Sequence, residues 1–142
     1  MKTLFSIPRR VQHGLLLATY LAERSTERRP IPLEEVARNE GISQGFLEEI
    51  AAFLRSSGII AGRRGVGGGY VLAKQPHEVT VADVIAAIEG RGWAEHCLGE
   101  SAEAPIRNGR NIWQKVQGQV MATLYNVTLA DVVAEHVAPS AK

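Results

Sequence analysis

The stretch that most constrains this chain runs from residue 36 to residue 72. Within it, Ala37 is followed four positions on by Gly41, and then by Leu47 and Ile50. A small residue lets two helices cross closely, a glycine permits the tight turn between them, and the two aliphatics pin the second helix onto the first. Arg63-Arg64-Gly65, Gly67-Gly68-Gly69 and Tyr70-Val71-Leu72 come next and read as a basic hairpin with a glycine-rich tip. Together these pieces predict a winged helix, a shape suited to lying on a DNA duplex.

The rest of the chain frames that unit. A length of 142 residues suits one domain with a real core and an added dimerisation element. The net charge of +1 hides an asymmetry. Residues 1–75 carry 11 Lys/Arg against 7 Asp/Glu, whereas residues 76–142 carry 5 against 8. A basic front and an acidic back fit a nucleic-acid module joined to a partner or sensor region, although scattered surface charge gives the same count. The sole cysteine, Cys97, excludes an internal disulfide and fits a reducing, cytoplasmic compartment. Arg9-Arg10 precede an apolar run, Leu15 to Ala22, that is short and closes on no small-x-small cleavage site. Val11, Leu15, Ala18 and Ala22 fall on one helical face, so the run reads as a first helix. No stretch is long enough to span a membrane, and no membrane partner is expected.

Taken in order, a first helix begins after Pro8 and runs to about Arg24. Residues 25–30 form a loop, and Ile31-Pro32 add a very short strand. A helix covers Leu33 to Glu40 and stops at Gly41; Ser43 caps the next, from Gln44 to about Ser56. Gly58 ends that helix, and Ile59–Arg63 and Tyr70–Ala73 pair as strands. Thr80 and Asp83 form a capping box for a helix from Val81 to Glu89, stopped by Gly90. Periodicity is lost over residues 91–109. A long helix then repeats Ile112, Val116, Val120 and Leu124, with Trp113 alongside, and its stripe is expected to be buried partly against a second subunit. Thr128 and Asp131 cap a last short helix to about His136, and residues 137–142 are expected to fray. The expected fold is mainly α with a small β-hairpin. A winged helix-turn-helix domain occupies 1–90, a sensor-type loop 91–109, and a dimerisation helix with a short C-terminal helix 110–136.

On the helix from Gln44 to Ser56, Leu47, Ile50 and Leu54 gather on one side. Gln44, Gly45, Glu48, Ala52 and Arg55 gather on the other, small and polar near the N-terminus, as a helix entering the major groove requires. Gln44 suits adenine, Glu48 a cytosine amino group, and Arg55 a phosphate. An ordinary solvated face has a similar composition; the helix-turn-helix context is what separates the two. In the hairpin, Arg63 and Arg64 would neutralise phosphates or enter the minor groove, while Gly67 and Gly68 let the backbone come close. The rival readings are a plain hairpin turn or a nucleotide-binding loop. The latter needs a Lys-Ser/Thr pair and a following helix, and a strand follows here. The expected DNA-contacting residues on the helix are thus Ser43, Gln44, Gly45, Glu48 and Arg55. On the wing they are Arg63, Arg64, Gly67 and Gly68.

The chain resembles the Rrf-two family of bacterial winged-helix regulators. The likeness rests on Ala37…Gly41-Ile42-Ser43, Phe46-Leu47-Glu48, Arg64-Gly65…Gly67-Gly68-Gly69-Tyr70…Leu72, Val79-Thr80-Val81-Ala82-Asp83-Val84…Ile88-Glu89-Gly90 and Thr128-Leu129-Ala130-Asp131. It covers nearly the whole chain and is weakest over 91–109. It implies a homodimer joined through the long helix, two recognition helices on a near-palindromic operator in double-stranded DNA, and transcriptional control. It also implies that Glu48 reads bases and that Arg64 is the wing arginine.

The sensor loop departs from the family. Cluster-binding members carry three cysteines there, whereas this chain has only Cys97, and Arg110 stands where some members have a histidine ligand. One thiol beside His96 is a poor set for a [2Fe–2S] cluster, so no cofactor is expected. Cys97 and His96 remain the candidate sensor pair, as a thiol switch, although a lone cysteine more often fills space. His13, His77, His96 and His136 show no metal-ligand spacing, and no nucleophile–base–acid set points to an enzyme. The leading expectation is a dimeric DNA-binding regulator answering to a small ligand or protein effector. Its competitors are a winged-helix protein-interaction adaptor and a redox or cluster sensor using Cys97.

Overall fold

The computed structural model describes residues 7–93 and 107–137. Six helices and one two-stranded sheet occupy them: α1 (Arg9–Glu23), α2 (Leu33–Glu40), α3 (Gln44–Ser56), β1 (Ile60–Arg63), β2 (Gly69–Leu72), α4 (Val81–Glu89), α5 (Arg107–Asn126) and α6 (Leu129–Val137). The fold is mainly helical with a small antiparallel hairpin, as the sequence pattern predicts.

Helix α1 lies at the centre, packed against α3, α4, α6 and β2. Its buried residues are Val11, Gly14, Leu17, Ala18, Tyr20, Leu21 and Ala22. Of the expected face, Val11, Ala18 and Ala22 are buried and Leu15 is half-buried against the same core, and Gly14, Leu17, Tyr20 and Leu21 widen the buried arc. A helix surrounded by neighbours buries a broad arc of its surface, wider than the face that one apolar stripe marks.

Local chemistry sets the boundaries of the other helices. Gly41 ends α2 in the left-handed region, φ 68°, where its N–H donates to Ala37 O at 2.9 Å. Thr80 and Asp83 exchange the two bonds of a capping box, at 2.9 and 3.0 Å, and start α4. Thr128 and Asp131 repeat the device at the start of α6, at 3.0 and 3.1 Å. Val81 N donates to Val127 O and Leu129 N to Val79 O, so the end of α5 and start of α6 are tied back to the start of α4. Helix α5 begins at Arg107, three residues inside the expected 91–109 loop, and Trp93 at the head of that segment is buried. At 20 residues, α5 is about 30 Å long.

The core joins α1, α2, α3 and the hairpin. Val36, Leu47, Ile50, Ala51 and Leu54 are at 0% exposure. At about 25 cal/mol per Å² of apolar surface, each large aliphatic among them contributes on the order of 2 kcal/mol to holding α3 against α1 and α2. Ile31 and Tyr70 exchange backbone bonds of 2.8 and 2.9 Å, which realises the expected short strand as a bridge on the outer edge of β2. An ion-pair network braces the α1–α2 corner. Arg29 bonds both Glu35 carboxylate oxygens at 3.1 Å, and Tyr20 OH donates to Glu35 while accepting from Asn39 at 2.7 Å. The Arg29 guanidinium holds the Glu35 carboxyl below its ordinary value.

Candidate nucleic-acid interface

Helix α3 owes its position to its inner face and to its N-terminus. Ser43 Oγ accepts from Phe46 N at 3.2 Å, the capping bond its sequence position predicts. Phe46 then meets the His13 ring edge-on, centroids 4.9 Å apart, which seats the start of α3 on α1. Farther along, the Arg10 guanidinium stands over Phe53, 5.6 Å from the ring centroid, and bonds Glu89 at 3.3 Å. This one arginine links α1, α3 and α4, a role with no signature in the sequence pattern.

The opposite face of α3 is bare. Gln44, Gly45, Glu48, Ala52 and Arg55 are all exposed. Gln44 Nε2 lies 3.5 Å from Glu48 Oε2, so these residues form one i, i+4 pair rather than two independent readers. Gly45 has no side chain, and added bulk there would meet only the Ser43 hydroxyl. The first turn thus offers unobstructed backbone N–H groups beside an amide and a carboxylate, which together can donate to and accept from base edges.

The wing pairs Ile60 with Leu72, Ala61 with Val71, Gly62 with Tyr70 and Arg63 with Gly69. Arg63 and Arg64 are exposed, and Arg63 donates only to the neighbouring Gly62 carbonyl, at 3.4 Å. The tip glycines have work inside the fold. A Cβ on Gly68 would strike the Arg63 and Gly65 carbonyl oxygens, and one on Gly69 would strike the backbone of Ile31 and Pro32. Gly68 is therefore needed to close the wing itself, whereas around Gly67 there is open space. Val66, at the apex, is 109% exposed. The sequence pattern marks it only as part of the glycine-rich tip, because its exposure is set by the folded turn.

Helix-face and wing residues both lie on the exposed surface of the head, joined through the short α3–β1 connection at Gly58. Cys97 and His96 lie outside the described residues, as do residues 138–142 of the stretch 137–142 expected to fray, whereas Val137 is the last residue of α6; the side chain of Trp113 is likewise outside them. On α5, Ile112 is 66% and Val116 37% exposed, while Val120 and Leu124 are half-buried. Among the described residues, no helix is long and apolar enough to cross a membrane.

Comparison with known proteins bears on this surface. Residues 7–135 match the family Rrf2, described as an iron-dependent transcriptional regulator. The chain is 35% identical over 106 residues to the HTH-type transcriptional regulator IscR of Serratia proteamaculans, covering 73% of this chain and 65% of that one. It thus spans just under two thirds of that relative's length. Among solved structures, CymR, the global cysteine regulator of B. subtilis, superposes with a TM-score of 0.82 at 28% identity, covering 93% of this chain and 98% of that one. T. potens IscR superposes at 0.74 with 26% identity, covering 97% and 95%.

Proposed function

The chain belongs to the Rrf2 family of transcriptional regulators, and from that premise we infer that it is a dimeric, sequence-specific DNA-binding regulator of the bacterial cytoplasm. One observation carries the reading. Helix α3 is wholly buried along Leu47, Ile50 and Leu54, and wholly open along Gln44, Gly45, Glu48 and Arg55. A helix held so firmly from behind, with a small polar front, is built to be inserted into a groove. Arg63 and Arg64 on the adjoining wing supply the phosphate-neutralising charge.

In this mechanism α3 enters the major groove by its N-terminal turns. Gln44 and Glu48 meet base edges as a pair, with Glu48 accepting from a cytosine amino group. Arg55, Arg63 and Arg64 bind phosphates and set the register. The N-terminal half of α5 supplies the dimer contact, since Ile112 and Val116 leave apolar surface uncovered within the subunit. A two-fold dimer then places two copies of α3 on a near-palindromic operator.

The family description carries iron dependence. A [2Fe–2S] cluster takes four ligands, most often thiolates. This chain has one cysteine, Cys97. The donor set does not fit such a cluster. A small ligand or a protein partner is the signal this regulator is proposed to answer.

The experiment is a binding titration on duplexes selected by the wild-type protein from a randomised pool. Arg64→Ala should weaken every selected duplex about equally, while Glu48→Ala should redistribute base preference within the half-sites. Wild-type behaviour from both variants would contradict the docking described here.

A further inference from the structure

The wing tip presents an apolar side chain where the fold has no use for one. Val66 is the most exposed of the large hydrophobic residues described, at 109%, and stands between Gly65 (φ 105°) and Gly67 (φ 78°). Gly68 N donates to Gly65 O at 2.9 Å, closing the tip beneath it. The turn is closed tightly under the tip, with no room for a Cβ at Gly68 between the Arg63 and Gly65 carbonyls. Val66 is thus held out on a closed turn, flanked on both sides by residues with no side chain. Being β-branched, it also has few rotamers to lose when it is contacted. Two exposed arginines, Arg63 and Arg64, approach the tip along the strand.

We propose that Val66 is a specificity-determining residue of the wing, one that meets the floor of the DNA minor groove and favours A·T over G·C pairs at the step it touches. The inference rests on the DNA-binding reading above and adds a base preference that the arginines cannot supply. A minor groove about 6 Å wide admits a narrow tip with a single side chain at its apex. Its floor tells A·T from G·C chiefly by the guanine 2-amino group, a donor that points outward. A valine methyl over that amino group strips its water and returns no acceptor. Over an adenine the same methyl strips no donor, because the A·T floor has none. Arg63 and Arg64 hold the tip in place on the phosphates to either side and read nothing themselves.

The test uses the full chain and wild-type-selected duplexes in which A·T pairs of the wing-contacted segment are replaced one at a time. Replacement by G·C at the Val66 step should weaken binding about 10-fold. An inosine·cytosine pair, which lacks the 2-amino group, should restore affinity; 2,6-diaminopurine·thymine, which adds it, should reproduce the loss. Val66→Ala and the isosteric Val66→Thr, whose hydroxyl can accept from the amino group, should each cut the discrimination to about 3-fold or less. The salt dependence should stay unchanged in both, whereas Arg64→Ala lowers the slope by about one. Both substitutions lie in open solvent, so folding is not at stake. If Arg64→Ala weakens binding while both Val66 variants keep the wild-type preference, the inference about Val66 fails and the docking stands. If the wild-type chain selects no duplex at all, both fail together.

Discussion

Helices α3 and α5 are both amphipathic, yet the chain treats them in opposite ways. On α3 the aliphatics Leu47, Ile50 and Leu54 are buried, and the opposite side, Gln44, Gly45, Glu48, Ala52 and Arg55, is small and polar. On α5 the apolar stripe is exposed at Ile112 and Val116, toward the N-terminus, and half-buried at Val120 and Leu124. The first helix has its hydrophobic partner within the subunit and offers a polar face to the outside. The second packs against α4 and is tied to the head just beyond its C-terminal end, where Val127 O accepts from Val81 N and Leu129 N donates to Val79 O. A surplus of polar surface on a rigid helix suits a groove lined with hydrogen-bonding edges. A surplus of apolar surface on a projecting helix suits a second copy of that same surface.

The contrast between the two helices can be tested by substitution. The largest effect is expected from Ile50→Ala, which hollows the contact between α3 and the core and should cost about 2–5 kcal/mol in chemical denaturation. If it costs no more than an exposed substitution, α3 is not the buttressed helix described here. On α5 the opposite should hold. Ile112→Asp combined with Val116→Asp should leave the helical circular dichroism of the head intact but weaken self-association about 100-fold, or about 2.7 kcal/mol, seen as a shift to monomer in sedimentation. A dimer that survives both charges must be joined elsewhere.

Smaller effects probe the ends and corners. Ser43→Ala removes the bond to Phe46 N and should cost about 1 kcal/mol of stability, with Ser43→Gly costing less. Smallest is the contribution of the Arg29–Glu35 pair, which lies at the surface and is screened by solvent. Its sign is nonetheless fixed. The Glu35 carboxyl is held below its ordinary value in the folded chain. The pair therefore stabilises fully above the ordinary carboxylate range, and its contribution is lost as pH falls through that range and below. Glu35→Gln should flatten this part of the acid limb of a thermal-stability profile, and a limb as steep as that of the wild type would remove Glu35 from the account.

What could be read from the sequence was mostly what is local. The caps at Ser43, Thr80 and Thr128 each depend on a partner three residues away, and all three bonds form as expected. Gly41 likewise announces its left-handed turn. On α1 the stripe marks the right face but not the full width of the buried arc, because β2, α3, α4 and α6 cover it from regions distant in sequence. Gln44 and Glu48, expected as separate contacts, are joined by their spacing of four into a pair. The need for Gly68 and Gly69 was visible, but its reason was not: their neighbours are the wing's own carbonyls and the Ile31–Pro32 backbone, which the bridge to Tyr70 brings in from 38 residues away. Val66 went unremarked because exposure is a property of the finished turn.

The most direct test of the central claim is the binding of wild-type protein to a selected duplex across a range of salt concentrations, with the stoichiometry of the complex measured in parallel. The account predicts two chains per duplex and an affinity that falls steeply on a log–log plot, by about 0.9 in slope for each phosphate neutralised, with Arg55, Arg63 and Arg64 of each subunit among the contributors. Binding by single chains, or an affinity indifferent to salt, would contradict it.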